Sequence, residues 1–292
     1  MADRRALCAE ISAEGGEPLG ATASRIDHWI IVEYRGVWAP HPLRDSALPD
    51  AVKAHVAEQL EALSRARLLF VRRPDRRHHP GLVCFVGTTR ERGSTLHRLE
   101  LDSHHDLLGV DFTSEPGELV DHPIFVVCTH GQRDRCCARY GRPLYAALCE
   151  LSEADRVWQA THVGGDRFAG NLVCLPEGLY FGRVGAGDAW RVLEEYLAGR
   201  IHLDCYRGRC CYPFPVQAAE RAVREQTGAR RIDDLELDGI ERAGAGRWNV
   251  AFRAAGELLR ADVVVEHGAL AYLTCSAETL RRPRRYVARL AT

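Results

Sequence analysis

The chain has 292 residues, of which 46% are hydrophobic and 27% charged, so its composition is that of a globular protein and excludes a mainly disordered chain. Its 39 basic and 40 acidic residues leave a formal net charge of −1, without the positive excess that nucleic-acid-binding proteins carry. No stretch approaches 18 consecutive apolar residues, and the N-terminal residues lack the apolar region of a signal peptide. We therefore expect a soluble, cytoplasmic protein with neither a nucleic-acid nor a membrane partner, whose 11 cysteines stay reduced.

The first hundred residues predict an α/β unit with the order β-α-β-β-β. Its strands are predicted from short apolar or alternating segments: 29–32, 68–71, 82–86 and 96–101. A helix between the first two strands is predicted from apolar residues at helical spacing: Val52, Val56, Leu60 and Leu63. A polar turn is predicted over 75–81, before the third strand.

A Pro- and Gly-containing linker at 113–117 leads into a second α/β unit. Its strands are predicted from apolar segments: 124–127, 157–161, 172–175 and 179–184. One helix is predicted over 143–151, with Pro143 in its first turn, and another from Asp188 to Leu197. The alternation of strands and helices predicts two related α/β units, residues 1–112 and 120–205.

The last third of the chain, residues 206–292, has a different pattern. A helix is predicted over 215–226 and ends before Gly228. Three later segments are predicted to form an antiparallel meander: 248–252, 261–266 and 270–274. This part is predicted to be a small C-terminal extension rich in β-structure.

Potential metal ligands follow two strands of the second unit. Cys128 ends the first strand and Cys137 precedes the helix, while His162 and Asp166 follow the next strand. If these strands are parallel neighbours, both loops lie at the carboxyl edge of one sheet, where α/β folds place functional groups. We therefore expect two thiolates, an imidazole and a carboxylate to converge there.

Two runs in this region, CTHGQRDRCCARYG (128–141) and THVGGDRFAGN (161–171), resemble the signature segments of the sucrase/ferredoxin-like family. The runs GEPLGATASRIDHWIIVEY and YRGRCCYPFPVQAAE also resemble bacterial members. The resemblance implies a thioredoxin-like fold that carries a [2Fe–2S] cluster, with Cys128 and Cys137 as its first pair of ligands. The family's better-understood members supply the second pair from a His-x-x-x-His motif, in which His162 here fits the first position and Asp166 occupies the second.

Asp166 has two possible roles. As a fourth ligand, its anionic carboxylate would lower the reduction potential relative to an imidazole. As an acceptor that orients His162, it would leave the fourth position to Cys136, His130 or an exogenous ligand. We favour Asp166 as the ligand.

Five further residues are predicted to surround the ligands: Cys136, His130, Arg133, Arg167 and Asn171. Successive residues point apart, so Cys136 is expected to pack away from the cluster. Asn171 is expected to donate a hydrogen bond to a cluster sulfur.

The resemblance implies a [2Fe–2S] protein that exchanges one electron with an unknown redox partner, rather than an enzyme that converts a substrate. Two alternatives stay open. Two cysteines, a histidine and an aspartate also suit zinc, which would make the protein a zinc-stabilised binding module. A reactive thiolate at Cys128 or Cys137 would instead make it a thiol-based oxidoreductase, although the sequence has no Cys-x-x-Cys motif for ordinary dithiol exchange.

Overall fold

The structure, a computed structural model, describes residues 6–73, 80–153 and 155–291. The turn predicted over 75–81 lies largely outside these residues. Within them the chain forms a ten-stranded mixed sheet and a separate four-stranded antiparallel sheet. The predicted mixed α/β class is confirmed, while the thioredoxin-like assignment stays a prediction.

The first half of the large sheet follows a short N-terminal helix, α1 (Cys8–Glu14). Its elements are, in chain order, β1 (His28–Glu33), α2 (Asp50–Ala62), β2 (Ala66–Arg72), β3 (Leu82–Thr88), β4 (Thr95–Leu101) and β5 (Glu118–Leu119). β1 pairs in parallel with β2 and antiparallel with β3, and β3 pairs antiparallel with β4. Val52 and Val56 of α2 are buried against this sheet, as their helical spacing predicts.

The second half repeats this arrangement. Its elements are β6 (Ile124–Cys128), α3 (Arg135–Leu151), β7 (Val157–Ala160), β8 (Leu172–Leu175), β9 (Leu179–Phe181), α4 (Ala189–Leu197) and β10 (Tyr206–Arg209). β6 pairs in parallel with β7 and antiparallel with β8, and β8 pairs antiparallel with β9. The first four strands of each half therefore lie in the same order: second, first, third, fourth.

The start of α3 differs from its prediction at Pro143. The helix begins at Arg135, because the Asp134 carboxylate accepts a hydrogen bond of 2.8 Å from the backbone N–H of Cys136 and caps the helix. Pro143 lies inside α3, where its missing N–H removes one helical hydrogen bond. As a result, Cys136 and Cys137 lie in the first turn of α3 rather than in the loop before it.

The two halves of the large sheet are joined edge to edge. β2 and β7 pair antiparallel, with Val71 opposite Ala160. The strands before and after the predicted linker therefore form one sheet. β10 also belongs to this sheet, although it lies beyond the predicted boundary at residue 205. The division of the chain into separate domains stays a prediction.

The C-terminal part consists of a helix packed on the small sheet. Its elements are α5 (Phe214–Thr227), β11 (Leu235–Gly244), β12 (Arg247–Ala254), β13 (Glu257–His267) and β14 (Arg284–Leu290). Gly228 ends α5 in the left-handed conformation, at φ 75°. The strand predicted over 270–274 is wrong, since that segment forms only an isolated bridge between Ala271 and Arg281. Across the described ranges, no helix is long and apolar enough to cross a membrane.

Candidate functional site

The predicted ligands meet at one edge of the large sheet. β6 and β7 are parallel neighbours, with Cys128 opposite Ala160, so the segments that follow them emerge on the same side. One ligand atom from each of Cys128, Cys137 and His162 lies within 4.8 Å of the other two. The structure therefore brings together the two thiols and the imidazole that the sequence singles out.

Close packing of α3 against the end of β6 places the two thiols side by side. Cys128 and Cys137 are both buried. Gly141, one turn further along α3, lies directly over the backbone carbonyl of Cys128, where a Cβ atom would collide with that oxygen. Only glycine lets the helix approach this closely, and this approach brings Cys137 to the strand end.

The Asp166 carboxylate completes the group. Its Oδ1 lies 3.0 Å from Nδ1 of His162 and accepts a hydrogen bond of 3.3 Å from the Cys137 thiol. The Asp166 side chain is 5% exposed, whereas 22% of the His162 side chain is exposed. The imidazole therefore forms the side of the site that faces solvent.

Electrostatics in the site favour a thiolate beside an imidazolium. The adjacent Cys137 thiol lowers the pKa of Cys128, with His162 adding to the effect, and the proximity of Cys128 raises the pKa of Cys137. Burial opposes the charged form of His162, but hydrogen bonds to Asp166 and Cys128 outweigh it and raise the pKa of His162 to about 9. Burial likewise opposes ionisation of Asp166, yet the hydrogen bond from His162 lowers the pKa of that carboxyl group.

The loop between His162 and Asp166 is fixed through its backbone carbonyls. Each of the three intervening carbonyls accepts a hydrogen bond from a side chain: Val163 from Arg67 (2.7 Å), Gly164 from Arg207 (2.9 Å) and Gly165 from Asn171 (2.9 Å). Both glycines have left-handed backbones, at φ 103° and 81°. The loop thus needs both glycines and these three polar side chains to present His162 and Asp166 together.

Arg207 is a residue of this site that sequence reasoning missed. Only 1% of it is exposed, and burial lowers its pKa to about 10. Besides Gly164, its guanidinium donates to Asn171 Oδ1 (2.8 Å) and to the backbone carbonyl and hydroxyl of Thr22. It lies within the YRGR run, but composition and spacing do not distinguish one buried arginine from the many exposed ones.

The residues predicted to surround the ligands have different surroundings. His130 is buried, with its Nε2 3.3 Å from the carbonyl of Trp38, and Arg133 is exposed. Arg167 pairs with Glu17 at 2.9 Å.

Asn171 and Cys136 have contacts within the protein, and Cys136 packs away from the ligand group as expected. Asn171 donates to the loop carbonyl of Gly165. The sulfur of Cys136 contacts Cys8 and Cys275 on the other side of the first turn of α3.

The donor set suits more than one metal group. Thiolates and imidazoles hold both iron–sulfur clusters and zinc, and a carboxylate is an accepted zinc ligand. A metal-free redox thiol at Cys128 or Cys137 would be shielded from large substrates, because both residues are buried. The chemistry of these side chains therefore fits a metal-containing site.

A comparison against known protein families places the chain in one of them. Residues 19–208, well over half of the chain, match the model of the sucrase/ferredoxin-like family, and the chain belongs to that family. An alignment of 95 positions, which covers 29% of the chain, shows 33% identity to "Altered inheritance of mitochondria protein 32" from Meyerozyma guilliermondii. The alignment covers 34% of that protein's length. No solved structure matches the chain significantly.

Proposed function

We propose that the protein is an electron carrier whose [2Fe–2S] cluster is held by Cys128, Cys137, His162 and Asp166. The observation that carries the proposal is the convergence of two buried thiols and an imidazole at one sheet edge. Membership of the sucrase/ferredoxin-like family supports it. The repeated strand order further supports a thioredoxin-like origin for both halves, and the cytoplasmic location stays a prediction.

Each side chain has a distinct part in this proposal. Cys128 and Cys137 supply thiolates from a buried position that keeps water away from the sulfurs. Asp166 contacts both Cys137 and His162, which is consistent with a ligand that completes the set. When bound, the cluster supplies one-electron redox chemistry, and the protein tunes it through ligand type and burial.

His162 marks the side of the site open to a partner. Its side chain is more exposed than that of Asp166, and it borders solvent. A redox partner would therefore approach the His162 edge rather than the Cys128 side, which is enclosed by α3 and the sheet.

Zinc is the second candidate for the same residues, which would then form a binding module. The observation in its favour is that three donor atoms lie within 4.8 Å of one another, a spacing that suits a single ion. Zinc would have no redox role and would stabilise the junction of β6, α3 and the His162 loop.

Anaerobic purification followed by visible absorption, with iron, sulfide and zinc assays on the same sample, tests both candidates. A red-brown protein with about two irons and two sulfides per chain supports the cluster. The variant Cys128→Ala should then lose colour, iron and sulfide, whereas Cys84→Ala, at a buried cysteine in β3, should keep them. A colourless protein with zinc that Cys128→Ala removes would refute the cluster and support the binding module.

A further inference from the structure

A second cluster of cysteines lies beside the first turn of α3. The sulfur atoms of Cys8, Cys136 and Cys275 form a triangle, with Sγ–Sγ distances of 3.5 Å (Cys8 to Cys136), 3.3 Å (Cys136 to Cys275) and 3.6 Å (Cys275 to Cys8). The carboxylate of Asp134 lies against the triangle, with its oxygens 3.8 and 3.9 Å from the Cys8 sulfur. One donor atom from each of these four residues lies within 4.8 Å of the others.

The four residues come from three distant segments. Cys8 begins α1, Asp134 and Cys136 form the start of α3, and Cys275 lies between β13 and β14. Cys8 and Cys275 both fall outside residues 19–208, the part that matches the family model. The cluster is therefore built from both flanking segments of the chain, packed on one turn of the central fold.

Backbone hydrogen bonds hold the Asp134 carboxylate in place. Its Oδ1 accepts from the N–H of Cys136 (2.8 Å), and its Oδ2 accepts from the N–H of Cys275 (2.7 Å). Each carboxylate oxygen has a second lone pair, so both stay available to a cation. Asp134 is buried, with 3% exposed, and it therefore puts a negative charge beside three sulfur atoms.

The spacing of the sulfurs fits one tetrahedral ion. Zinc–sulfur bonds of about 2.3 Å in a regular tetrahedron separate the ligand sulfurs by about 3.8 Å. The observed Sγ–Sγ distances are 3.3–3.6 Å, within a few tenths of an ångström of that value. A disulfide would instead need about 2.05 Å between two of the sulfurs, and all three cysteines are free thiols.

Simple apolar packing explains this cluster less well. Buried cysteines often behave as small hydrophobic residues, and alanine and leucine side chains do surround these three. The buried carboxylate distinguishes this cluster from apolar packing, because two backbone hydrogen bonds satisfy its oxygens but do not neutralise its charge. A divalent cation would compensate that charge and take the place of the thiol protons.

We propose that Cys8, Asp134, Cys136 and Cys275 form a structural zinc site that fastens both flanking segments of the chain to the first turn of α3. Four ligands from the protein close the coordination sphere, which is typical of structural rather than catalytic zinc. The proposal does not depend on what the first site binds. Cys136 would bind the zinc ion, while its neighbour Cys137 contacts His162 and Asp166.

The zinc content of the full-length protein tests the proposal. After gel filtration that removes loosely bound metal, the wild-type protein should contain one more zinc ion per chain than Cys275→Ser. Cys149→Ser is the matched control, since Cys149 is also half-buried and lies in α3 but has no place in the cluster. After replacement of zinc by cobalt(II), the visible absorption typical of tetrahedral thiolate coordination should weaken in Cys275→Ser and not in Cys149→Ser.

Thermal unfolding separates loss of the metal from simple loss of packing. In the Cys128→Ala background, which lacks the metal of the first site, a strong chelator should lower the melting temperature, and it should do so equally when Cys149→Ser is added. When Cys275→Ser or Cys8→Ser is added instead, the protein should melt at a lower temperature that no longer responds to the chelator. A purely structural role for these cysteines would change stability without changing the response to the chelator.

Three results would overturn the zinc site. One is a wild-type protein that takes up no zinc after reduction and zinc addition. Another is equal zinc content in wild-type and Cys275→Ser. The third is zinc that Cys128→Ala removes and Cys275→Ser does not, which would place the ion in the first site and leave the cysteine triangle without metal.

Discussion

Replacement of Arg207 by methionine should loosen the loop that carries His162 and Asp166. The change keeps a long side chain but removes the donors that bind Gly164, Asn171 and Thr22. Asn171 is buried, so its Oδ1 would lose a partner that water cannot easily replace. Each buried acceptor left without a donor costs about 1–3 kcal/mol.

The sum of these losses sets the expected size of the effect. Asn171 Oδ1 is shielded from solvent, whereas Gly164 and Thr22 are half-buried and regain some hydrogen bonding from water. We therefore expect Arg207→Met to lower the free energy of unfolding by about 2–4 kcal/mol. Urea unfolding measures this loss, and metal analysis of the folded protein measures whether His162 and Asp166 still meet Cys137.

Arg224 provides the matched control. It is equally buried, in α5, and its guanidinium also bonds backbone carbonyls, here those of Arg231 and Ile232, together with the Glu220 carboxylate. Arg224→Met should lose comparable stability but keep the metal of the first site. If Arg207→Met retains that metal as tightly as Arg224→Met does, the loop does not depend on Arg207 and the reasoning is refuted.

Three further substitutions test other parts of the structure. Asp166→His replaces an anionic ligand with a neutral one and should raise the midpoint potential of the cluster, measured by a redox titration; an unchanged potential would show that Asp166 does not bind iron. Gly165→Ala should lower the melting temperature and the metal content of the first site, because its φ of 81° strains alanine by about 1–2 kcal/mol and its Cβ would collide with the Arg207 guanidinium. Gly187→Ala, at a position with open space around the new Cβ, is its control and should change neither. Asp134→Asn keeps a good helix cap but removes the anionic oxygen, so zinc should dissociate faster in a chelator competition while helix content by circular dichroism stays unchanged; equal dissociation rates would exclude Asp134 as a zinc ligand.

Periodicity and local motifs predicted much of the large sheet. Short apolar segments identified its strands because most of these strands are buried on both faces, as the fully buried residues of β3 and β6 show. β14 was missed because its residues are half-exposed or exposed, so its apolar signal is weak. The start of α3 was missed because its first turn is marked by the Asp134 cap rather than by apolar spacing.

The two clusters of donors differ in how far the sequence predicts them. Cys128, Cys137, His162 and Asp166 follow consecutive parallel strands, so topology alone brings them to one edge. Cys8 and Cys275 are 267 positions apart, and their contact depends on how the outer segments fold back onto α3. Local sequence patterns do not predict a contact between residues so far apart, and the folded structure is needed to find it.

The antiparallel pairing of β2 with β7 gives the two halves opposite polarity. The carboxyl ends of β1 and β2 therefore run toward those of β6 and β7, and Val71 lies opposite Ala160 where the two halves meet. At the carboxyl ends of β1 and β2, Glu33 and Arg73 form a buried ion pair of 2.7 Å instead of a set of thiols. If the donor site holds a cluster, its solvent-facing side is the one formed by His162. An electron donor and an electron acceptor would then have to use that surface in turn, and each would compete with the other for access.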